Sequence, residues 1–162
     1  MAAAFITPDL DAVVSEIEVA APPQRVFDAL TQPDQLLQWW GGDESCPTTL
    51  LEFDPRKGGK WRMICGKPDG KHVVNGFRVF KHDGEILEFD PPRALAYTWI
   101  TNFHQDPSRK TVVRWELTPT KLGTKVKVTH SGLDDENIVR KDYAGGWPGV
   151  LGALKKFAEK TN

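Results

Sequence analysis

From Val13 the chain alternates, with Val13, Ser15, Ile17 and Val19 on one face and Val14, Glu16 and Glu18 on the other, the period-two pattern of a half-buried strand. Ala21-Pro22-Pro23 stops that strand. Proline fits the first turn of a helix, and Val26, Phe27, Ala29 and Leu30 follow at helical spacing, so a short helix is predicted there. Thr31 or Asp34 can cap a second short helix carrying Leu36, Leu37 and Trp40, which Gly41-Gly42 ends. Strand-like runs follow at 48–54, 60–66, 71–80, 85–89, 95–101, 111–118 and 124–130. Their separators, among them Asp69-Gly70, Asp83-Gly84, Asp90-Pro91-Pro92, Asp106-Pro107 and Leu122-Gly123, have turn chemistry, so neighbouring strands pair mostly antiparallel. From Trp147 the residues Val150, Leu151, Leu154, Phe157 and Ala158 fall three and four apart, opposite Lys155, Glu159 and Lys160, which predicts a long amphipathic C-terminal helix. A helix apolar on one side needs cover, and the alternating strands supply one apolar sheet face. The predicted class is α+β: a curved antiparallel sheet wrapped around a long C-terminal helix, with two short helices after strand one.

Composition narrows this picture. At 162 residues the chain fits one domain, read as residues 11–162 behind a flexible N-terminal tail over 1–10. Its 21 Lys and Arg against 22 Asp and Glu leave a net charge of -1 and no basic excess to hold a phosphate backbone, so nucleic acid is an unexpected partner. Ala2-Ala3-Ala4-Phe5-Ile6 is interrupted by Thr7-Pro8-Asp9 before it reaches the length of a signal-peptide core or a membrane span, so a cytoplasmic protein without stable membrane insertion is expected. Cys46 and Cys65 suit reduced buried thiols better than a disulfide framework.

Six tryptophans are the main chemical signal. Alternation puts Trp61 with Met63 and Cys65, Trp99 with Leu95 and Tyr97, and Trp115 with Val113 and Leu117 on the apolar sheet face. Trp147 and Leu151 lie on the stripe of the final helix, and Trp39 or Trp40 closes the second short helix. Rings approaching one interior from three directions can line a concave pocket, or simply fill the core of a bent sheet. His130 alternates with Val126 and Val128 and faces inward, where it serves as a ligand donor, as an acid or base, or as a core histidine satisfied by a backbone group or Ser131. His72, His82 and His104 fall in or beside predicted turns and read as solvated. No nucleophile elbow, Cys-His pair, zinc signature or dinucleotide fingerprint is present, so no catalytic residue, metal or cofactor is expected.

Taken together, the segment from Ala21-Pro22-Pro23 to Ala29-Leu30, the run Trp39-Trp40-Gly41, the run Arg56-Lys57-Gly58-Gly59-Lys60-Trp61, the segment from Asp90-Pro91-Pro92 to Trp99, and His130-Ser131-Gly132-Leu133 with Gly145-Gly146-Trp147-Pro148 resemble the bacterial START-like (helix-grip) family related to the C-terminal domain of the activator of heat-shock chaperone ATPase. The resemblance runs from about Val13 to Lys160. It implies a hydrophobic cavity between sheet and final helix, with the short helices at its mouth. Two departures, Gly42 in place of proline and the Lys81-His82-Asp83-Gly84 turn, are expected to reshape that mouth.

Members of the family include lipid and polyketide binders, cavity enzymes and chaperone partners, and fold alone does not choose among them. The expected function is binding of a small apolar or aromatic ligand by a monomer or homodimer, with Trp39, Trp40, Trp61, Met63, Trp99, Trp115, Trp147 and Leu151 as walls and Tyr97 and His130 as polar anchors. The alternatives are a cyclase, hydrolase or dehydratase using His130 with Tyr97 or Glu116, and a co-regulator of a chaperone ATPase.

Overall fold

A computed structural model describes residues 2–40 and 47–160. Its element order is β1 (Ala3–Ile6), β2 (Val13–Val19), α1 (Pro23–Thr31), α2 (Pro33–Trp39), β3 (Thr48–Phe53), β4 (Lys60–Gly66), β5 (Val79–Asp90), β6 (Ala94–Thr101), β7 (Thr111–Pro119), β8 (Thr124–Ser131) and α3 (Asn137–Ala158). The strands form one antiparallel sheet in the order β1-β2-β8-β7-β6-β5-β4-β3. It curves around α3, with α1 and α2 at one end, which is the helix-grip architecture the hydrophobic pattern predicts.

Four expectations are corrected by the backbone. Residues 1–10, expected as a loose tail, contain β1, whose residues 3–6 pair with 13–16 of β2. The ladder is anchored beyond it, because the buried Arg140 guanidinium donates to the carbonyls of Leu10 at 3.0 Å and Leu133 at 2.8 Å.

Asp83-Gly84 is not a hairpin turn but the middle of β5. The strand passes straight through, pairing with β4 on one side and β6 on the other. A glycine is needed here for proximity: a Cβ on Gly84 would lie 1.8 Å from Thr98 O and 2.5 Å from Trp61 Nε1. The Trp61 indole N–H, donating to that same carbonyl at 2.9 Å, occupies the space. Residues 71–77, expected as strand, hold only the isolated bridge Val74↔Phe77.

Helix α3 begins ten residues before Trp147 and runs through Gly145, Gly146 and Pro148. Val139, Tyr143, Trp147, Leu151, Leu154 and Ala158 continue one buried stripe along it, and this packing outweighs the local cost of proline and glycine. The Gly41-Gly42 pair, Ser45 and Cys46 lie outside the described residues.

Candidate functional site

A hollow of about 690 Å³ is on the outer sheet face and is lined by Glu52, Lys60, Arg62, Asp83 and Glu85 among others. Four of these charges are already spent on each other, in the pairs Lys60–Glu85 and Arg62–Glu52. Exposed pairs of this kind describe a solvated strand surface. A different cavity, of about 140 Å³, opens on the inner side between β4, β5, β6 and the N-terminal half of α3.

Each wall of the inner cavity follows from alternation or helical spacing. Strand β4 contributes Met63 and Cys65, β5 Phe80 and His82, and β6 Trp99. Helix α3 contributes Asp142, Tyr143, Gly146, Trp147 and Val150, at spacings of three and four that keep one face toward the sheet. Trp40, just past α2, closes one side with its ring centroid 6.2 Å from Trp99 and 6.0 Å from Trp147. At the rim, His72 Nε2 lies 3.5 Å from Asp142 Oδ1, and burial raises the Asp142 carboxyl above its usual range.

Two hydrogen-bond networks stiffen the wall. The Trp147 indole N–H donates to His130 Nδ1 at 3.2 Å, and the Thr111 hydroxyl donates to Trp99 O at 2.7 Å. Thr111 Oγ1 can therefore only accept from the other imidazole nitrogen, 2.7 Å away, which fixes His130 as the neutral Nε2–H tautomer with both nitrogens satisfied. Burial, reinforced by His104 and His82, holds its pKa well below the usual histidine value. In the second network the Trp99 indole N–H donates to the Tyr143 hydroxyl at 3.0 Å, and that hydroxyl in turn meets His104 Nε2 at 2.8 Å.

His82 and His104, expected at the surface, are both buried. Burial, followed by the neighbouring His104, lowers His82 to about 3; burial lowers His104 to about 4 against an opposing pull from Glu136. His82 Nε2 faces Cys65 Sγ at 3.7 Å, so the Cys-His proximity missing from the sequence pattern exists in space. The Nδ1 atoms of His82 and His104 are buried without a hydrogen-bond partner among the described residues. The loop carrying His104 is fastened by Glu136, whose buried carboxylate accepts the Gln105 N–H at 2.6 Å and the Asp106 N–H at 3.0 Å.

Residues 20–159 match the protein family described as Activator of Hsp90 ATPase homolog 1-like protein. The chain belongs to this family. Among solved structures it is similar to protein MLL2253 from Mesorhizobium loti, with 28% identity over 93% of this chain and 98% of that one at a TM-score of 0.70. It is also similar to protein CV1439 from Chromobacterium violaceum, with 24% identity over 93% and 99% at a TM-score of 0.78. The AHSA1-like protein from Aeromonas hydrophila shares 19% identity over 91% and 92% at a TM-score of 0.69. No curated protein matches the sequence.

On this activator-homologue fold the ten expected site residues separate into groups. Trp40, Met63, Trp99 and Trp147 line the cavity. Trp61 and Tyr97, again with Trp40 and Met63, surround an adjoining void of about 10 Å³. Trp115, His130 and Leu151 are fully buried in the packed core and reach neither space. Trp39 spends its indole N–H on Ala29 O at 2.8 Å and borders an outer groove between α2 and α3. The Tyr97 hydroxyl accepts the Trp115 indole N–H at 3.0 Å, while Glu116 faces outward and pairs with Arg114. Sequence reasoning missed His82, Phe103 and Tyr143; the period-two series Phe80, His82, Gly84, Ile86 and the four-residue series Val139, Tyr143, Trp147 were the signals that could have found His82 and Tyr143.

Proposed function

We propose that this protein binds a small apolar ligand between the concave face of its sheet and α3. The observation that carries the reading is the 140 Å³ cavity itself, walled by Met63, Phe80, Trp99, Phe103 and Trp147 on the inner side of the sheet. Binding pockets combine this kind of apolar lining with few polar groups. Catalysis through His130 with Tyr97 or Glu116 has no support in the geometry. His130 is saturated and neutral, the Tyr97 hydroxyl is held by Trp115, and Glu116 points away from the interior. None of the described helices is long and apolar enough to cross a membrane, and the reading takes the cytoplasm as the place of action.

The test is thermal unfolding and tryptophan fluorescence with toluene, indole and naphthalene. A ligand at ten times its Kd adds about 1.4 kcal/mol of stability, or roughly 3–6 °C for a domain of this size. Gly146 lines both the cavity and the outer groove, and a Cβ there meets nothing within 4 Å. Gly146→Leu is expected to fold and to lose the ligand-induced shift. Wild-type protein indifferent to all three probes would refute the reading.

A further inference from the structure

We infer that the outer groove between α2 and α3 is a second binding site, for an amphiphile with one anionic head and an apolar chain. The head sits on Lys156 and Lys160, and the chain runs along α3 toward Gly146. The site lies outside the cavity proposed above and does not depend on it.

The groove has a volume of about 540 Å³. Trp39 and Trp40 form one wall, and Gly149, Val150, Ala153 and Phe157 the other. Gly146, Gly149, Ala153, Lys156 and Lys160 follow at alternating steps of three and four, so they make one stripe down α3 and just past its end. Gly146 and Lys156 are ten residues apart, about 15 Å of helix rise, which suits a chain rather than a compact ring. A Cβ on Gly149 would meet nothing within 4 Å, so any long side chain there would occupy the trough itself. At its far end the groove shares Trp40, Gly146 and Val150 with the inner cavity, so the end of the chain also meets apolar surface.

Charge sits at one end only. Lys156 and Lys160 are the charged side chains of the described lining, and both are exposed. Neither takes part in an ion pair among the described residues. Their neighbour Glu159 is engaged elsewhere: its carboxylate accepts the Ala20 N–H at 2.7 Å and pairs with Lys155. A helix C-terminus favours lysine through its dipole, but that preference is indifferent to which side of the helix carries the charge. Here both unpaired lysines lie on the trough side. A cationic head would meet like charge there, and a guest charged along its length would have to dry those charges against Val150 and Ala153. One terminal anion on an apolar chain avoids both costs.

The experiment titrates dodecanoate, dodecyl phosphate and dodecanol, each below the concentration at which it aggregates, with toluene in parallel. Fluorescence of Trp39 and Trp40 reports on the groove, and the thermal midpoint of each variant checks that it is folded. The double variant Lys156→Gln/Lys160→Gln should weaken both anions about five- to tenfold, the scale of two exposed charge pairs, and leave dodecanol within about twofold. The anion that binds the wild type more tightly assigns the head as carboxylate or phosphate. Gly149 lines the groove and not the cavity, so Gly149→Leu should weaken all three chains at least tenfold and leave toluene unaffected. In the wild type alone, salt at about 1 M should weaken the anions relative to dodecanol by the same factor. An anion-to-dodecanol ratio indifferent to salt and to the lysines overturns the inference. Chains that bind undiminished in Gly149→Leu are in the cavity and overturn it too. If toluene binds and no chain does, the groove site fails while the cavity reading stands; if the chains bind as expected and toluene does not, the reverse holds. A second copy of the protein seated in the groove would give a dimer that Gly149→Leu splits and that binds no chain, and this also overturns the inference.

Discussion

Acid should destabilise this fold steeply, and the size of the effect follows from three buried imidazoles. His82, His104 and His130 are held neutral in the folded protein, at about 3, about 4 and well below the ordinary range respectively, chiefly because burial penalises the charged ring. In the unfolded chain each returns to about 6.5. Below that value the unfolded state binds protons that the folded state refuses, so stability is present above pH 6.5 and is lost as pH falls. From pH 7.5 to 5.5 each group removes about 1.4 kcal/mol, and the three together about 4 kcal/mol, a large part of the 5–15 kcal/mol that holds a typical domain. Asp142, raised by burial, acts with the opposite sign at the acid end, and Asp142→Asn removes it from the comparison. The assay is urea unfolding followed by tryptophan fluorescence at half-unit pH steps. A loss of less than about 1.4 kcal/mol over that interval would mean that at most one of the three rings is kept neutral, and the account of the wall built on them would be wrong.

Two substitutions probe the same wall. Gly84→Ala drives a methyl into Thr98 O and the Trp61 indole, neither of which can yield without parting β5 from β6, and should cost about 3 kcal/mol, seen as a fall of roughly 6–12 °C in thermal midpoint. Thr111→Val keeps the shape but leaves the His130 Nε2–H unpaired, which should cost about 1–3 kcal/mol in urea unfolding while toluene binding persists, because His130 does not line the cavity.

Most of the fold was legible because its signals are local. Proline starts the first short helix, alternation fixes which strand residues point inward, and the final stripe marks the long helix; the second short helix instead begins at Pro33 with Gln32 at its N-cap and no side-chain cap, not with the Thr31 or Asp34 cap expected. The misreadings share one physical cause: a local breaker overridden by tertiary packing. Reading Asp83-Gly84 as a turn cut β5 in two and moved His82 to the surface; in the fold that glycine is selected by the close approach of Trp61 and Thr98, a contact 14 residues distant at one partner and farther at the other. Starting the final helix at Trp147 rather than Asn137 hid Tyr143, and with it the burial of His104. The tryptophan set was correctly placed in the interior by alternation. Which tryptophans face the cavity and which face one another is decided by the curvature of the sheet, which no single strand encodes.

The distribution of energetic costs gives an independent reason to place function at this end of the molecule. Sequences agree with their folds at most positions, and the exceptions gather where function demands them. Around Trp115, Val126 and Leu154 the core is apolar, fully buried and free of such exceptions. Near the cavity and along the exposed side of α3 they accumulate. The Nδ1 atoms of His82 and His104 are buried without partners among the described residues, a loss of about 1–3 kcal/mol each. Helix α3 carries Gly145, Gly146, Gly149 and Gly152 where a Cβ would meet nothing within 4 Å, at about 1 kcal/mol apiece relative to alanine, and Pro148 removes a helical hydrogen bond among them. Packing explains none of these glycines, since no neighbour requires their smallness. On the binding reading proposed above, a guest between α3 and the sheet needs room and a yielding helix beside Gly146, which lines the cavity.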